Sequence, residues 1–145
     1  MYKIVIPIDK DEKRAMTAVE FVTELGAESG LNADPDNISV SIINVFEKFK
    51  AIDDGGNVQS KDLYDEDSFP DSVTAARDYL AEAGVAVDVE RRHGDAEEEI
   101  IDFAESIDTD TIIIPGRKRS PVGKALFGSV TQHTILNTDI PVTIV

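Results

Sequence analysis

The chain has 145 residues, no cysteine and a formal net charge of −15, from 29 acidic and 14 basic residues. This is the length of one domain with a buried core, and the lack of cysteine excludes disulfides, thiolate metal sites and a cysteine nucleophile. The acidic surface repels nucleic acid and anionic membranes, so neither is an expected partner. No stretch approaches about 18 apolar residues, and the first residues lack a signal-peptide pattern. We therefore expect a cytoplasmic protein without a membrane span.

The acidic residues are spread along the whole chain, and only Glu97–Glu99 forms a short cluster. Spread acids favour a solvated surface of the halophilic kind over a docking patch. A basic partner for this surface is the alternative.

Five apolar segments predict β-strands. They are Tyr2–Ile8, Ile38–Phe46, Val85–Glu90, Thr111–Pro115 and Val142–Val145. Several are apolar without alternation, which is typical of strands that are buried on both faces of a parallel sheet.

Helical patterns lie between these strands. Apolar residues at spacings of three and four positions fall on one face in Ala15–Leu25, Val73–Ala83 and Ala96–Ile107. Gly84 is expected to end the second helix and Asp95 to cap the third, and a fourth helix is expected between Ser129 and Pro141. The alternation predicts a single α/β domain over residues 1–145, a doubly wound sheet with helices on both faces.

Ligands of such sheets bind at the carboxyl ends of the strands, which directs attention to the residues after Ile8, Val45 and Pro115. Asp9 follows the first strand. It is expected to cap the next helix, and it can contact a ligand such as a ribose as well.

The segment Lys48–Asp71 fits neither the strand nor the helix period. A connection of this length in a compact domain is usually a lid, a binding loop or a mobile segment. The pair Asp53-Asp54 lacks the pattern of a calcium loop and is interpreted as a turn.

The strongest signal for a ligand site lies in Gly116–Thr131, which follows a buried strand and precedes a helix. Gly128-Ser129 at the helix start offers backbone N–H groups and the positive end of the helix dipole, which together suit a phosphate. Four of the fourteen basic residues lie within eight positions there, at Arg117, Lys118, Arg119 and Lys124. Anion binding is the favoured interpretation, and ion pairs with acids of the same surface are the alternative.

This segment resembles the nucleotide loop of the universal stress protein family, whose ATP-binding members carry Gly-x2-Gly-x9-Gly-Ser/Thr. The resemblance extends over essentially the whole chain, through Ile4–Asp9, Asn44-Val45, Arg92–Ala96 and Ile140–Val145. It implies a flavodoxin- or Rossmann-like five-stranded parallel sheet of order 3-2-1-4-5. It also implies a homodimer in which the strand Ile140–Val145 pairs antiparallel with its copy.

The resemblance further implies a site for ATP, with or without Mg²⁺. Its residues would be Pro7, Ile8 and Asp9 at the adenosine end, Val45 at the adenine, and Gly116, Arg117, Arg119, Gly128, Ser129, Val130 and Thr131 around the phosphates. Arg119 stands where the family has its second loop glycine, and eight residues instead of nine separate it from Gly128. The backbone at an arginine cannot approach a phosphate as closely as the backbone at a glycine. The guanidinium of the arginine can, however, itself reach a phosphate.

No residue pattern identifies a nucleophile or general base, so at most weak ATP hydrolysis is expected. His93, expected in the loop after the third strand, and His133 both lack the partners or spacing of a catalytic or metal site. The leading prediction is an ATP-binding, homodimeric stress-response protein in which the nucleotide controls a switch. The alternative is an interaction protein of the same fold that binds no nucleotide. The sequence identifies no downstream partner.

Overall fold

The computed structural model describes residues 1–27, 35–47, 50–53, 56–59, 69–116 and 128–145. Its strands are β1 (Tyr2–Pro7), β2 (Ile38–Glu47), β3 (Lys50–Asp53), β4 (Gly56–Gln59), β5 (Ala86–Gly94), β6 (Thr111–Ile114) and β7 (Val142–Ile144). Its helices are α1 (Glu12–Ala27), α2 (Asp71–Glu82), α3 (Ala96–Ser106) and α4 (Ser129–Asn137), with a 3-10 turn at Pro35–Asn37. None of the described helices is long and apolar enough to cross a membrane.

The main sheet has five strands in the order β5-β2-β1-β6-β7, and every neighbouring pair is parallel. Numbered within this sheet alone, the order is 3-2-1-4-5, so the predicted doubly wound α/β fold is confirmed.

The two faces of the sheet explain why its strands are apolar without alternation. Ile4 and Ile6 pack in one buried cluster with residues of α1 and α2. Val5, between them, packs in a second cluster with residues of α3 such as Phe103. Each central strand therefore places consecutive side chains in two cores, and both faces are covered by helices.

Local signals for the ends of the helices are confirmed. Gly84, just after α2, has a φ of +80°, a conformation that favours glycine. Asp95 caps α3, because its side chain accepts a hydrogen bond from the backbone N–H of Glu97 at 3.1 Å.

The strand β5 is longer than predicted. Its ladder with β2 continues to the pair Glu47↔Gly94, so His93 lies in the strand and its predicted place in a loop is wrong. The polar run Arg91–His93 masks the strand in the sequence, and such residues are common on edge strands.

Part of Lys48–Asp71 forms a two-stranded antiparallel sheet of β3 and β4, in which Asp53 pairs with Gly56. Asp71 begins α2. Residues 48–49, 54–55 and 60–68 lie outside the described residues. A role as a lid or binding loop stays a prediction.

Candidate functional site

The turn between β1 and α1 is held by Asp9, which lies two residues after the end of β1. One carboxylate oxygen of Asp9 accepts a hydrogen bond from the backbone N–H of Asp11 at 2.9 Å, and the other forms an ion pair with the guanidinium of Arg14. The hydroxyl of Ser72, at the start of α2, donates to the Asp9 carbonyl at 2.5 Å. The position of Asp9 is therefore defined from both sides of the turn.

The cap of α1 is Asp11, so the interpretation of Asp9 as the cap is wrong. The side chain of Asp11 accepts from the backbone N–H of Arg14 at 3.0 Å, and its other oxygen lies 3.2 Å from the Arg14 Nε. That N–H, together with the guanidinium charge, holds the pKa of Asp11 below its ordinary value. The cap is therefore charged at neutral pH and is lost only as the pH falls through that lowered pKa.

The carboxyl ends of β1 and β2 are joined by a buried amide. The side-chain N–H of Asn44 donates to the Ile8 carbonyl at 2.8 Å, and the backbone N–H of Ile8 donates to the Ile43 carbonyl at 2.9 Å. Asn44 is only 4% exposed. These bonds fix Val45, the next residue of β2, beside the β1 turn.

A helix begins opposite this turn. Gly128 is the N-cap of α4, with φ −63° and ψ 162°, and as a glycine it provides no side-chain cap. The carbonyl of Gly128 accepts from the backbone N–H of Gln132 at 3.1 Å. The first N–H groups of a helix have no partner within it and carry its positive dipole end, an arrangement that suits an anion.

These elements enclose a cleft of about 320 Å³, which we call the first cleft. Eight residues that the sequence predicted as ligand contacts line it: Pro7, Ile8, Asp9, Val45, Gly128, Ser129, Val130 and Thr131. The volume is at the lower end of the about 300–1,000 Å³ typical of ligand sites. The fold thus brings the carboxylate that follows β1 and the uncapped start of α4 to one cavity.

Comparisons with known proteins agree with this arrangement. The family model for the universal stress protein family matches residues 1–145. The chain belongs to the universal stress protein family. It is 33% identical to a universal stress protein of Mycolicibacterium smegmatis, over 78% of this chain and 91% of that protein.

Solved structures show the same fold. The structure of a universal stress protein from Archaeoglobus fulgidus is 25% identical, covers 99% of this chain and 98% of its own, and has a TM-score of 0.69. A structure of the universal stress protein from the same organism in complex with dAMP is 20% identical to this chain. The match covers 99% of this chain and 97% of that one, with a TM-score of 0.65.

Several residues that line the first cleft of this universal stress protein were not singled out in the sequence. They are Arg14, Ile43, Glu47, Ala96, Ile100, Ile114 and Pro115. Ala96 and Ile100 belong to the predicted apolar stripe of α3, but no local pattern shows that one end of that stripe borders a cavity. Arg14 had a weak signal, an arginine in the first turn of α1.

Three predicted contacts of this universal stress protein remain, and of these only Gly116 belongs to the described residues; it does not line the first cleft. Arg117 and Arg119 lie outside the described residues. Gly116 packs against β7: its backbone N–H donates to the Val145 carbonyl at 2.9 Å, and a Cβ atom there would lie 2.6 Å from the Cγ2 of Ile144. Close packing therefore accounts for this glycine without any ligand.

Gly116→Ala is accordingly expected to destabilise the protein by about 1–3 kcal/mol, the usual cost of overpacking. Urea unfolding measures this. The penalty should shrink in a chain that also carries Ile144→Ala, because the clashing methyl group is then gone. Gly128→Ala is the control and should cost less, since a Cβ at Gly128 meets no atom of the described residues within 4 Å and only the weaker N-cap preference of alanine is lost. Equal costs at the two glycines would contradict the packing explanation.

Proposed function

We propose that the first cleft binds an adenine nucleotide, ATP in the first place, with or without Mg²⁺. The adenosine lies against Val45 and Asp9, and the phosphates lie at Gly128-Ser129. The observation that carries this proposal is the meeting of the Asp9 carboxylate and the uncapped start of α4 in one cavity.

The chemistry at the two ends of the first cleft supports this orientation of the nucleotide. The first backbone N–H groups of α4, which have no partner within the helix, and the helix dipole favour the negative phosphates. At the other end Asp9 uses one oxygen for a backbone N–H and one for Arg14, and a carboxylate has about four lone-pair sites. It can therefore still accept hydrogen bonds from ribose hydroxyls. The complex of a related protein with dAMP is consistent with such a ligand.

We further propose that the nucleotide is a ligand and not chiefly a substrate, with at most weak hydrolysis. Bound nucleotide would favour one conformation over another and so control a switch. A downstream protein that responds to the switch is not identified, and a cytoplasmic location stays a prediction.

An interaction protein of the same fold that binds no nucleotide is the second candidate. Arg119 in place of the second loop glycine favours it, because the backbone there cannot approach a phosphate as closely.

We also propose a homodimer that forms through Ile140–Val145. The strand β7 is the edge of the described sheet and pairs only with β6 there. An apolar edge strand with open backbone groups is a template for pairing with another chain, and a two-fold contact would close both edges at once. Ile135 and Leu136, 43% and 80% exposed at the end of α4, lie shortly before this strand in the chain.

Calorimetry with ATP on wild type, Gly128→Asp and Gly128→Asn tests the nucleotide site. A Cβ at Gly128 meets no atom of the described residues within 4 Å, and both replacements are good helix caps, so both variants should fold. Only Asp adds a negative charge beside the phosphates. Charges about 4 Å apart repel by about 1 kcal/mol in water and about 4 kcal/mol near a protein surface. Gly128→Asp should therefore bind ATP about tenfold more weakly, or worse.

Gly128→Asn should bind within a few-fold of wild type. Wild type that releases no heat with near-millimolar ATP would sink the proposal and leave the interaction protein. If Asn weakens binding as much as Asp, the phosphates do not lie at the start of α4.

A further inference from the structure

A second cleft adjoins the first across the residues that follow β1 and end β2. It has a volume of about 720 Å³ and shares Asp9, Arg14, Val45 and Glu47 with the first cleft. Its other walls include Lys10, Asn44, Phe46 and Arg91. A ligand in the first cleft that touches Asp9 therefore lies at the entrance to the second.

The second cleft contains a cation that the fold holds in place. Arg91 lies on β5 opposite Asn44 on β2, and its guanidinium donates to the Asn44 side-chain oxygen. The guanidinium carbon also lies 5.5 Å from the centre of the Phe46 ring. A guanidinium positioned in advance loses less conformational entropy when it binds an anion.

Charge balance in the second cleft differs from that of the whole chain. Among the described residues that line it, Lys10, Arg14 and Arg91 face three acids, Asp9, Asp11 and Glu47, whereas the chain has 29 acids and 14 bases. Arg14 already compensates Asp9 and Asp11. The second cleft therefore repels an anion less strongly than the acidic surface around it does.

We propose that the second cleft binds a phosphate group carried on the 2′ or 3′ oxygen of the ribose of the bound nucleotide. This inference rests on the proposed function, because that orientation places the ribose hydroxyls at Asp9. A phosphate on one of those oxygens meets the Asp9–Arg14 pair and extends toward Lys10 and Arg91. Arginine presents a planar fork of donors that suits phosphate, and lysine adds a point charge.

The test compares AMP with adenosine 2′,5′-bisphosphate and adenosine 3′,5′-bisphosphate by calorimetry on the full chain. Wild type should bind at least one bisphosphate about tenfold more tightly than AMP, the effect of one added charge-assisted contact. Arg91→Met and Lys10→Met keep the length of the side chain and remove its charge. Each should lose most of that gain and leave AMP binding within about twofold of wild type.

Arg77→Met is the matched control. Arg77 lies on α2 and pairs with Asp78, so this variant changes the net charge equally without altering the cleft, and it should keep the gain. Lys10 is exposed, so Lys10→Met remains informative if Arg91→Met unfolds.

The possible outcomes separate the two proposals. If AMP binds and neither bisphosphate binds more tightly, the second cleft is not a phosphate site, although the nucleotide site stands. The inference is also overturned if both Arg91→Met and Lys10→Met still bind a bisphosphate about tenfold more tightly than AMP. If ATP binds but none of these three nucleotides does, this inference fails and the nucleotide site stands. If ATP does not bind either, the proposed function and this inference both fail.

Discussion

Proline at both Val142 and Ile144 is expected to convert the proposed dimer of this universal stress protein into a monomer. The carbonyl of Pro141 accepts from the N–H of Ile112 at 2.9 Å, and the N–H of Val145 donates to the Ile114 carbonyl at 3.1 Å. Alternate residues of a parallel strand bond to the same neighbour. The backbone groups of Val142 and Ile144 therefore face the open edge, where an antiparallel copy would bond.

Proline at an outward-facing position of an edge strand removes no bond within the chain, but it removes a donor that the second copy needs. Lysine would be a poorer test, because Val142 packs against the buried cluster under α3 and α4 and a lysine there disturbs the core. Val142→Ala with Ile144→Ala is the matched control, since it shortens the same side chains and keeps both N–H groups.

Light scattering at low micromolar concentration in molar salt measures the result. Wild type and the double alanine variant should have the mass of two chains, and the double proline variant the mass of one. A monomeric wild type would remove the dimer proposal. A double proline variant that stays dimeric, with a melting temperature near that of the alanine control, would place the interface elsewhere.

The melting temperature is expected to rise steeply with salt. The net charge of −15 destabilises the compact state by self-repulsion, and screening shortens the range of that repulsion from about 30 Å at 0.01 M salt to about 3 Å at 1 M. Two of the described arginines are each shared between two acids: Arg14 pairs with Asp9 and Asp11, and Arg92 with Glu90 and Glu99. Most other acids must then be screened by solvent ions.

Each kcal/mol that screening adds to the free energy of unfolding should raise the melting temperature by about 2–8 °C. A few kcal/mol therefore correspond to a rise of about 10 °C or more. Thermal unfolding in KCl from 0.05 to 2 M measures it, and sorbitol at equal osmolality is the uncharged control. If the profile is flat, or sorbitol reproduces the rise, the halophilic interpretation is wrong and the acid surplus points instead to a basic partner.

The sequence by itself determined the strands of the main sheet, the four helices and their order. Uninterrupted apolar runs such as Ile112–Ile114 identify strands that lie between two layers of helices, and Gly84 and Asp95 mark the ends of helices by their own conformation and hydrogen bonding. These signals extend over a few neighbouring residues, so they are readable without the fold. The motif from Gly116 to Thr131 likewise pointed to the family.

The short and polar elements were not readable in this way. The hairpin of β3 and β4 has strands of four residues each, too short to establish a period. The end of β5 consists of Arg91, Arg92 and His93, which extend as a strand only because β2 continues beside them. In both cases pairing with another segment, and not local preference, defines the strand.

The tertiary structure alone decided which side chains meet. Asp9 and Gly128 are more than a hundred positions apart, and they line one cleft because β1 and β6 are neighbours in the sheet. Asp11 caps α1, whereas Asp9 forms an ion pair with Arg14. Which of the two aspartates caps the helix depends on where the chain turns. The packing of Ile144 against Gly116 and the contact of Arg91 with Asn44 likewise arise between strands. Periodicity and capping are local properties of a chain, whereas a binding site is made by contacts between distant segments that only strand order brings together.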